Sequence, residues 1–370
     1  MKRIDRLIFG EMVGPWLFGV AMFTALVFTS VLLVRITEWV TRGISPGTIF
    51  HVILLLLPGI AVKTLAMALL LAALLSFGRL SNDSEITALR AAGASLTRIL
   101  RPVLLFSIAV ALLTFCINEF VVPEASYRAQ TLTVEIKKEL DGGKRERSVF
   151  YAVPGENGAT ALIMARDFNT VEQTLKDVVI SVLGPEGRTT YMLFAAELAC
   201  TGPQDWRISG SARLIDADGS QVTTVHGGAW PKVIEPPKFT PRNLLAGFAD
   251  DLDAFSLSQI LEEIRVMRAD PYADKRKLAN LEFGMYNKFA LPLGSVIFAL
   301  LGAPLGIRNQ RSGVGTGFAI SIGLSFGYLI VVNWLAVYAK SGAISPFVAS
   351  FFPLFVGIVA VGAAMAKKNV

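Results

Sequence analysis

The sequence predicts an α-helical membrane protein with six transmembrane helices, arranged 3+3 around an inserted extracytoplasmic domain that is β-rich and jelly-roll-like. Three observations carry that reading. The 370 residues are 53% hydrophobic and 17% charged, with a mean hydropathy of +0.55, a balance soluble domains seldom reach. The apolar residues gather into six runs, each close to the ~20 residues that cross ~30 Å of hydrocarbon. Between the third and fourth runs, short stretches of alternating apolar and polar residues are broken by Gly- and Pro-rich clusters.

The six runs are Val13–Val34, Gly47–Phe77, Pro102–Val122, Phe289–Gly306, Val314–Ala339 and Ile344–Ala366. The second exceeds one bilayer crossing, so it must tilt, kink at Pro58 or project beyond the membrane. The chain opens Met-Lys-Arg-Ile-Asp-Arg before the first run. That run is longer than the 7–15 apolar residues of a signal peptide and ends at Arg35-Ile-Thr-Glu-Trp without a small-residue cleavage site, so an uncleaved span is expected. Residues 1–123 therefore hold spans one to three, 124–288 the inserted domain with its flanking helices, and 289–370 spans four to six.

Orientation follows from Lys and Arg near the span ends. With the N-terminus in the cytoplasm, the inside segments carry Lys2, Arg3, Arg6, Arg79, Arg90, Arg98, Arg101, Arg308, Arg311, Lys367 and Lys368. The short outside loops carry only Arg35, Arg42 and Lys340. Both termini are expected inside and the middle domain outside. The net charge of +6 is read first as this bias, and no nucleic-acid partner is expected.

In the middle domain, strands are expected at Val149–Val153, Thr160–Phe168, Asp177–Leu183, Thr189–Ala199, Asp205–Ile215 and Gln221–Val225. In the fifth, Trp206, Ile208, Ala212 and Leu214 share one face, with Arg207, Ser209, Ser211 and Arg213 on the other. Turn clusters lie at 154–158, 184–187, 202–205 and 216–219. Several short strands at regular spacing suggest a sandwich or jelly roll. Before the fourth span, Ser256 with Gln259 fits a capping box and Phe255 with Ile260 a hydrophobic staple. Leu257, Ile260, Leu261, Ile264 and Met267 then form the apolar stripe of an amphipathic helix.

Catalytic patterns are missing. There is no G-x-x-x-x-G-K-[ST] loop for nucleotide hydrolysis. His51 and His226 are far apart, and no H-E-x-x-H or paired-Cys pattern offers a metal site. The glycines at 313, 315 and 317 open a span and follow no strand, so they are not a dinucleotide fingerprint. Cys116 in an apolar run and Cys200 in the middle domain are not expected to pair. No cofactor, metal or independent enzyme activity is expected.

The most informative inside loop runs from Gly78 to Ser95. It reads as a short helix over about 81–93, with Asn82 as N-cap, Glu85 reaching back and Gly93 closing the end. Asp83 and Glu85 suit the positive end of the helix dipole, and Arg90 the negative end. Glu85 is either a cap or the charged contact of a helix that inserts into a groove on an ATPase subunit, and both roles are compatible.

Gly78-Arg79-Leu80 followed by Ser84-Glu85-Ile86-Thr87-Ala88-Leu89-Arg90-Ala91-Ala92-Gly93 resembles the coupling-helix signature of the LptF/LptG (YjgP/YjgQ) permeases. Two further strings support it: Asn287-Lys288-Phe289-Ala290-Leu291-Pro292-Leu293, continuing to Leu301-Gly302-Ala303-Pro304-Leu305-Gly306, and Glu119-Phe120-Val121-Val122-Pro123. With the 3+3 topology, the resemblance covers essentially the whole chain, and Ser84-Glu85-Ile86-Thr87 leans slightly to LptF. It departs from the family at Lys63-Thr64-Leu65-Ala66, where members often carry a proline.

The resemblance implies an ABC transporter permease subunit of the bacterial inner membrane that extracts lipopolysaccharide, or a related glycolipid, for a periplasmic bridge. It implies a dimer of an LptB-like ATPase, a paralogous LptF/LptG-type permease as the other half (a homodimer stays open), and LptC/LptA-like jelly-roll proteins. Ser84, Glu85 and Arg90 are then the ATPase-coupling residues. Arg35, at the outer end of the first span, suits a lipid phosphate by bidentate hydrogen bonding or serves as an interfacial anchor. Lys63, within the second span, meets a partner, cavity or substrate, or snorkels. Gly323 and Gly327 in the fifth span allow close helix approach at a lateral gate. The alternative is a non-transport mechanotransmission or scaffold subunit of an ATPase complex.

Cysteine reporters at Ser95 and Ser312 should label from the cytoplasm and one at Gly219 from outside. Labelling of Gly219 only after the membrane is broken open would overturn the 3+3 orientation.

Overall fold

The structure, a computed structural model, describes residues 3–140, 149–154, 160–169, 172–184, 188–202, 205–216, 222–225, 230–231, 234, 252–269, 275–307 and 314–369. Lys2, residues 155–158, 185–187, 203–204 and 217–219 of the turn clusters, Gln221, His226, Arg308, Arg311, Ser312 and Gly313 lie outside the described residues. The helices are α1 (Arg3–Thr41), α2 (Pro46–Asn82), α3 (Glu85–Ala91), α4 (Leu96–Cys116), a π-helical turn (Ile117–Val121) and α5 (Val122–Leu140). After the strands come α6 (Leu257–Ala269), α7 (Lys275–Gly306), α8 (Val314–Lys340) and α9 (Pro346–Asn369). Among the described residues, six helical stretches are long and apolar enough to cross a membrane, in the expected order. The helices overrun the apolar runs at most ends, because helix continues into the more polar flanks.

The chain divides into two compact units: residues 1–126, 255–264 and 274–370 in one, and 127–254 with 265–273 in the other. In the first, α2 is the hub. Every residue from Thr64 to Leu74 is buried, as befits a helix apolar all round and enclosed by neighbours. It continues unbroken past Pro58 and through Lys63-Thr64-Leu65-Ala66. Its 37 residues span roughly 55 Å at 1.5 Å per residue, more than one straight crossing of the hydrocarbon. One core joins Ile8 and Met12 of α1, Leu69 and Phe77 of α2, Ile99 and Val103 of α4, and Ala299 and Ala303 of α7. A second joins Phe23, Leu70, Leu71, Leu74 and Phe298. The Thr24 and Thr64 hydroxyls pair at 2.9 Å between α1 and α2.

In this unit α7 and α2 approach each other closely through their main chains. A Cβ at Gly302 would lie 2.8 Å from both the Ala73 Cβ and the Leu70 carbonyl oxygen. One at Gly306 would lie 2.9 Å from the Leu74 carbonyl oxygen and the Phe77 Cβ. Two glycines four apart let the backbones meet where any side chain would hold them apart.

The other unit contains β1 (Val149–Pro154), β2 (Thr160–Asn169), β3 (Thr174–Leu183), β4 (Thr189–Cys200), β5 (Trp206–Asp216) and β6 (Val222–Val225). They form one antiparallel sheet in strict sequence order, so the described strands make a meander. One face is a packed core around Ile163, Leu175, Ile180, Leu193, Leu198 and Trp206. On β5 the expected inward set, Trp206, Ile208, Ala212 and Leu214, is buried, and its polar counterpart is exposed. The register shifts by one between Ala195 and Glu197 on β4, opposite Gly210, whose φ of 88° fits a glycine bulge. Cys116 and Cys200 are both free thiols, and burial pushes the Cys200 thiol up from its ordinary value.

The packing at α2 gives a stability prediction. Gly302→Val should destabilise the detergent-solubilised chain by about 1–3 kcal/mol or more, because backbone rather than a flexible side chain opposes the new atoms. Gly323→Ala, which meets nothing within 4 Å, should stay within about 0.5 kcal/mol. Thermal unfolding checks the pair, and equal melting of the two variants would contradict the close-packing account.

Candidate functional site

At the end of α2 the chain turns through Asp83 and Ser84 into α3. The N-cap is Ser84, held at φ 61°, ψ 12° with no side-chain capping bond. The expected Asn82–Glu85 capping box does not form. Asn82 is the last helical residue of α2, whereas an N-cap needs non-helical backbone. Glu85 is therefore the first residue of α3, where its charge faces the positive end of the dipole. At the other end the expected closure holds. Gly93 has φ 85°. Its N–H donates to the Arg90 carbonyl at 2.9 Å, and the Ala94 N–H donates to the Leu89 carbonyl at 3.0 Å, the paired bonds of a Schellman motif.

The sequence of α3 gives it two faces. Ile86 is buried in the core shared by α1, α2, α4 and α7, and Leu89 packs against it. Thr87, Ala88, Arg90 and Ala91 are exposed, and Glu85 is half-buried. No hydrogen bond or ion pair engages the side chain of Glu85 or Arg90 among the described residues.

The segments on either side of α3 are tied to α1. Arg98, in the first turn of α4, donates to the Asp5 carboxylate at 2.7 Å, with both side chains largely buried. Arg79, near the end of α2, reaches the Glu11 carboxylate at 2.9 Å, and the Ser76 hydroxyl donates to the Glu11 carbonyl at 2.8 Å. Arg79 is 66% exposed, so its pair contributes little by itself. The Asp5–Arg98 pair is the firmer tie. Among the described residues, α3 thus sits between two helix ends that both hold the start of α1.

Toward the other end of the helices, α1 continues past the expected boundary at Val34 to Thr41. Arg35 is exposed and makes no hydrogen bond or ion pair among the described residues. Arg42, one loop residue beyond, is paired with Glu38 at 2.8 Å. Lys63 is exposed on α2, about 25 Å along the helix from Pro46, and no bond joins it to Arg35. Gly323 and Gly327 are exposed on α8, and a Cβ at either would meet nothing within 4 Å. The close backbone approach between α7 and α2 falls to Gly302 and Gly306 instead.

The sequence reading passed over one buried cluster. Val122 donates its N–H to the Ile117 carbonyl, an i→i+5 bond. The Asn118 carbonyl would then need a donor five residues on, and that residue is Pro123, which has no N–H. The Lys288 ammonium of α7 supplies it, donating to the Asn118 carbonyl at 3.0 Å and to the Glu119 carboxylate at 3.0 Å. The other Glu119 oxygen accepts the Leu257 N–H at 2.8 Å. At the same helix start, the Ser256 N–H donates to Gln259 Oε1 at 2.9 Å and the Gln259 N–H to the Ser256 hydroxyl at 3.4 Å. This is the expected capping box, and Phe255 and Ile260 are buried as the staple requires. Leu261, expected in the apolar stripe, is 48% exposed. Signals for the cluster were present in the strings around Glu119, Pro123 and Lys288, but their pairing needs helices remote in sequence.

The sequence profile described as Lipopolysaccharide export system permease LptF/LptG matches residues 6–367. The chain is also similar to Lipopolysaccharide export system permease protein LptG of Escherichia coli strain K12, 24% identical over 277 residues, covering 72% of this chain and 70% of the relative. The LptG protein of Escherichia coli O6:H1 strain CFT073 matches to the same extent.

Proposed function

We propose, because this chain belongs to the LptF/LptG family of lipopolysaccharide export system permeases, that it is one permease subunit of an ABC transporter driven by a separate ATPase. It takes lipopolysaccharide, or a closely related glycolipid, from the inner membrane and passes it to a periplasmic bridge. On this reading the chain is a multi-pass protein with both termini in the cytoplasm and the sheet domain in the periplasm. Its partners are a dimer of an LptB-like ATPase, a second LptF/LptG-type permease and LptC/LptA-like proteins.

The observation that carries the reading is α3. An isolated helix of seven residues has no stability of its own in water. This one is pinned by Ile86 and Leu89 and capped by Gly93, and it presents the Glu85 and Arg90 side chains without partners among the described residues. That is what a docking helix requires: a rigid base and unspent charge at its tip. The ties from Arg98 and Arg79 to α1 offer a route by which displacement of α3 moves α1.

The substrate path uses the surfaces the single chain leaves open. The first and fifth spans, α1 and α8, are the least buried of the six, which suits acyl chains entering sideways. Arg35 on α1, without a partner among the described residues, meets the headgroup phosphates there. A partly desolvated phosphate gains more from a pre-placed guanidinium than one in bulk water. Lys63 lies deeper on α2 and serves as a second contact. Gly323 and Gly327 on the open face of α8 let a second permease approach closely.

Two sets of variants test the reading in proteoliposomes holding the whole complex. Glu85→Lys should insert normally yet lose ATPase association or uncouple hydrolysis from export. Arg35→Glu should lower export by about tenfold or more, the scale of a lost charge-assisted hydrogen bond, while Arg35→Lys keeps the charge, loses the fork and falls less. Normal assembly and export in Glu85→Lys would reduce Glu85 to a dipole partner. Equal export by both Arg35 variants and the parent would return the headgroup contact to unknown.

A further inference from the structure

The cluster at Glu119 joins three elements that are distant in sequence: the π-turn after α4, the fourth turn of α7 and the start of α6. Each bond has a reason. Pro123 strands the Asn118 carbonyl, and Lys288 satisfies it. The ammonium is then buried, with only 7% of its side chain exposed, and a buried charge requires a counter-charge. Glu119 provides that through one oxygen. Its other oxygen takes the Leu257 N–H, one of the donors that every helix start leaves without an intrahelical partner. A carboxylate at that point also suits the helix dipole. The two oxygens therefore do different work: one fixes α7 to the π-turn, and the other fixes the start of α6 to the same turn.

We propose that Glu119 is a positioning residue, the pivot of a joint that seats the start of α6 on the end of α4 and the middle of α7. The segment that α6 opens is the one by which the chain returns from the sheet domain to the fourth span. Movement of α4 or α7 is delivered to that segment through this carboxylate. A π-turn, which departs from regular helix and recurs at functional sites, is a fitting place for such a pivot. The local claim stands on the geometry alone, and its consequence for export rests on the permease reading above.

The joint is asymmetric, and this separates it from an ordinary buried ion pair. Exchanging the charges, Glu119→Lys with Lys288→Glu, restores an attraction between α7 and the π-turn. It also turns an ammonium toward the Leu257 N–H, donor against donor. The single variants divide the joint differently. Lys288→Met frees α7 and leaves the carboxylate on α6, whereas Glu119→Ala frees both.

The experiment is hydrogen exchange of the Leu257 amide in the full-length chain, alongside lipopolysaccharide export by the reconstituted complex. The exchanged pair should melt at a higher temperature than Glu119→Lys alone. Its Leu257 amide should nevertheless exchange at least about tenfold faster than in the parent, and its export should remain low. Glu119→Ala should lose the amide's protection, and Lys288→Met should keep it. Recovery of both protection and export in the exchanged pair would reduce Glu119 to one half of an ion pair and overturn the joint. If the exchanged pair does not insert, equal protection of the amide in Glu119→Ala and Lys288→Met would overturn it as well. A parent complex that exports no lipopolysaccharide would sink the permease reading, while the exchange pattern would still decide the joint.

Discussion

The approach of α7 to α2 at Gly302 and Gly306 is the contact on which the membrane unit depends. At 2.8–2.9 Å from a neighbouring backbone, a Cβ has no room, so the two helices pack through their main chains. With α7 set against α2, the buried segment from Thr64 to Leu74 is enclosed, and α1 and α4 pack on the remaining sides. Lipid offers no hydrophobic drive for helix association, so shape of this kind has to supply the contact energy. The position of α7 also sets the position of Lys288, eighteen residues before Gly306 on the same helix. The buried pair with Glu119 and the capping of α6 follow from it.

The two ends of the unit solve different problems with charge. At the α3 end, Asp5–Arg98 and Glu11–Arg79 tie helix ends together, the first largely buried and the second with its arginine exposed to water. The exposed Glu11–Arg79 pair orients more than it stabilises. At the Glu119 end the pair is buried and costs desolvation, and it is retained beside a carbonyl that Pro123 has left without a donor. Removing either partner there strands a charge, so that end is the more sensitive to substitution. The same contrast appears in the arginines near the end of α1. Arg42 spends its charge on Glu38, and Arg35 does not.

Much of the architecture was legible because its signals are local. Six apolar runs, alternating strands and the Ser256–Gln259 box each declare themselves within a few residues, and each recurs in the structure. The membership of the LptF/LptG family rests on strings spread over the whole chain and is borne out by the match over residues 6–367. What escaped depends on context. The turn before α3 was misread because Asn82 and Glu85 have the spacing of a capping box, yet α2 continues helical through Asn82 and denies it the backbone a cap needs. Gly323 and Gly327 have the spacing for close packing but face outward, while Gly302 and Gly306, with the same spacing, carry the contact. Lys288 and Glu119 are far apart in sequence, and only the packing of α7 shows that they share a counter-charge. Leu261 fits the stripe by spacing and still faces solvent.

The central claim is that this chain carries lipid as half of an ATPase-driven permease. Native mass spectrometry of the complex, purified through this chain in the lipids of its own membrane, tests it most directly. The account predicts two permease chains, two ATPase chains and a bound lipid of lipopolysaccharide mass that is lost in the Arg35→Glu variant. A complex that retains the ATPase but binds no glycolipid would contradict it and favour a mechanotransmission subunit.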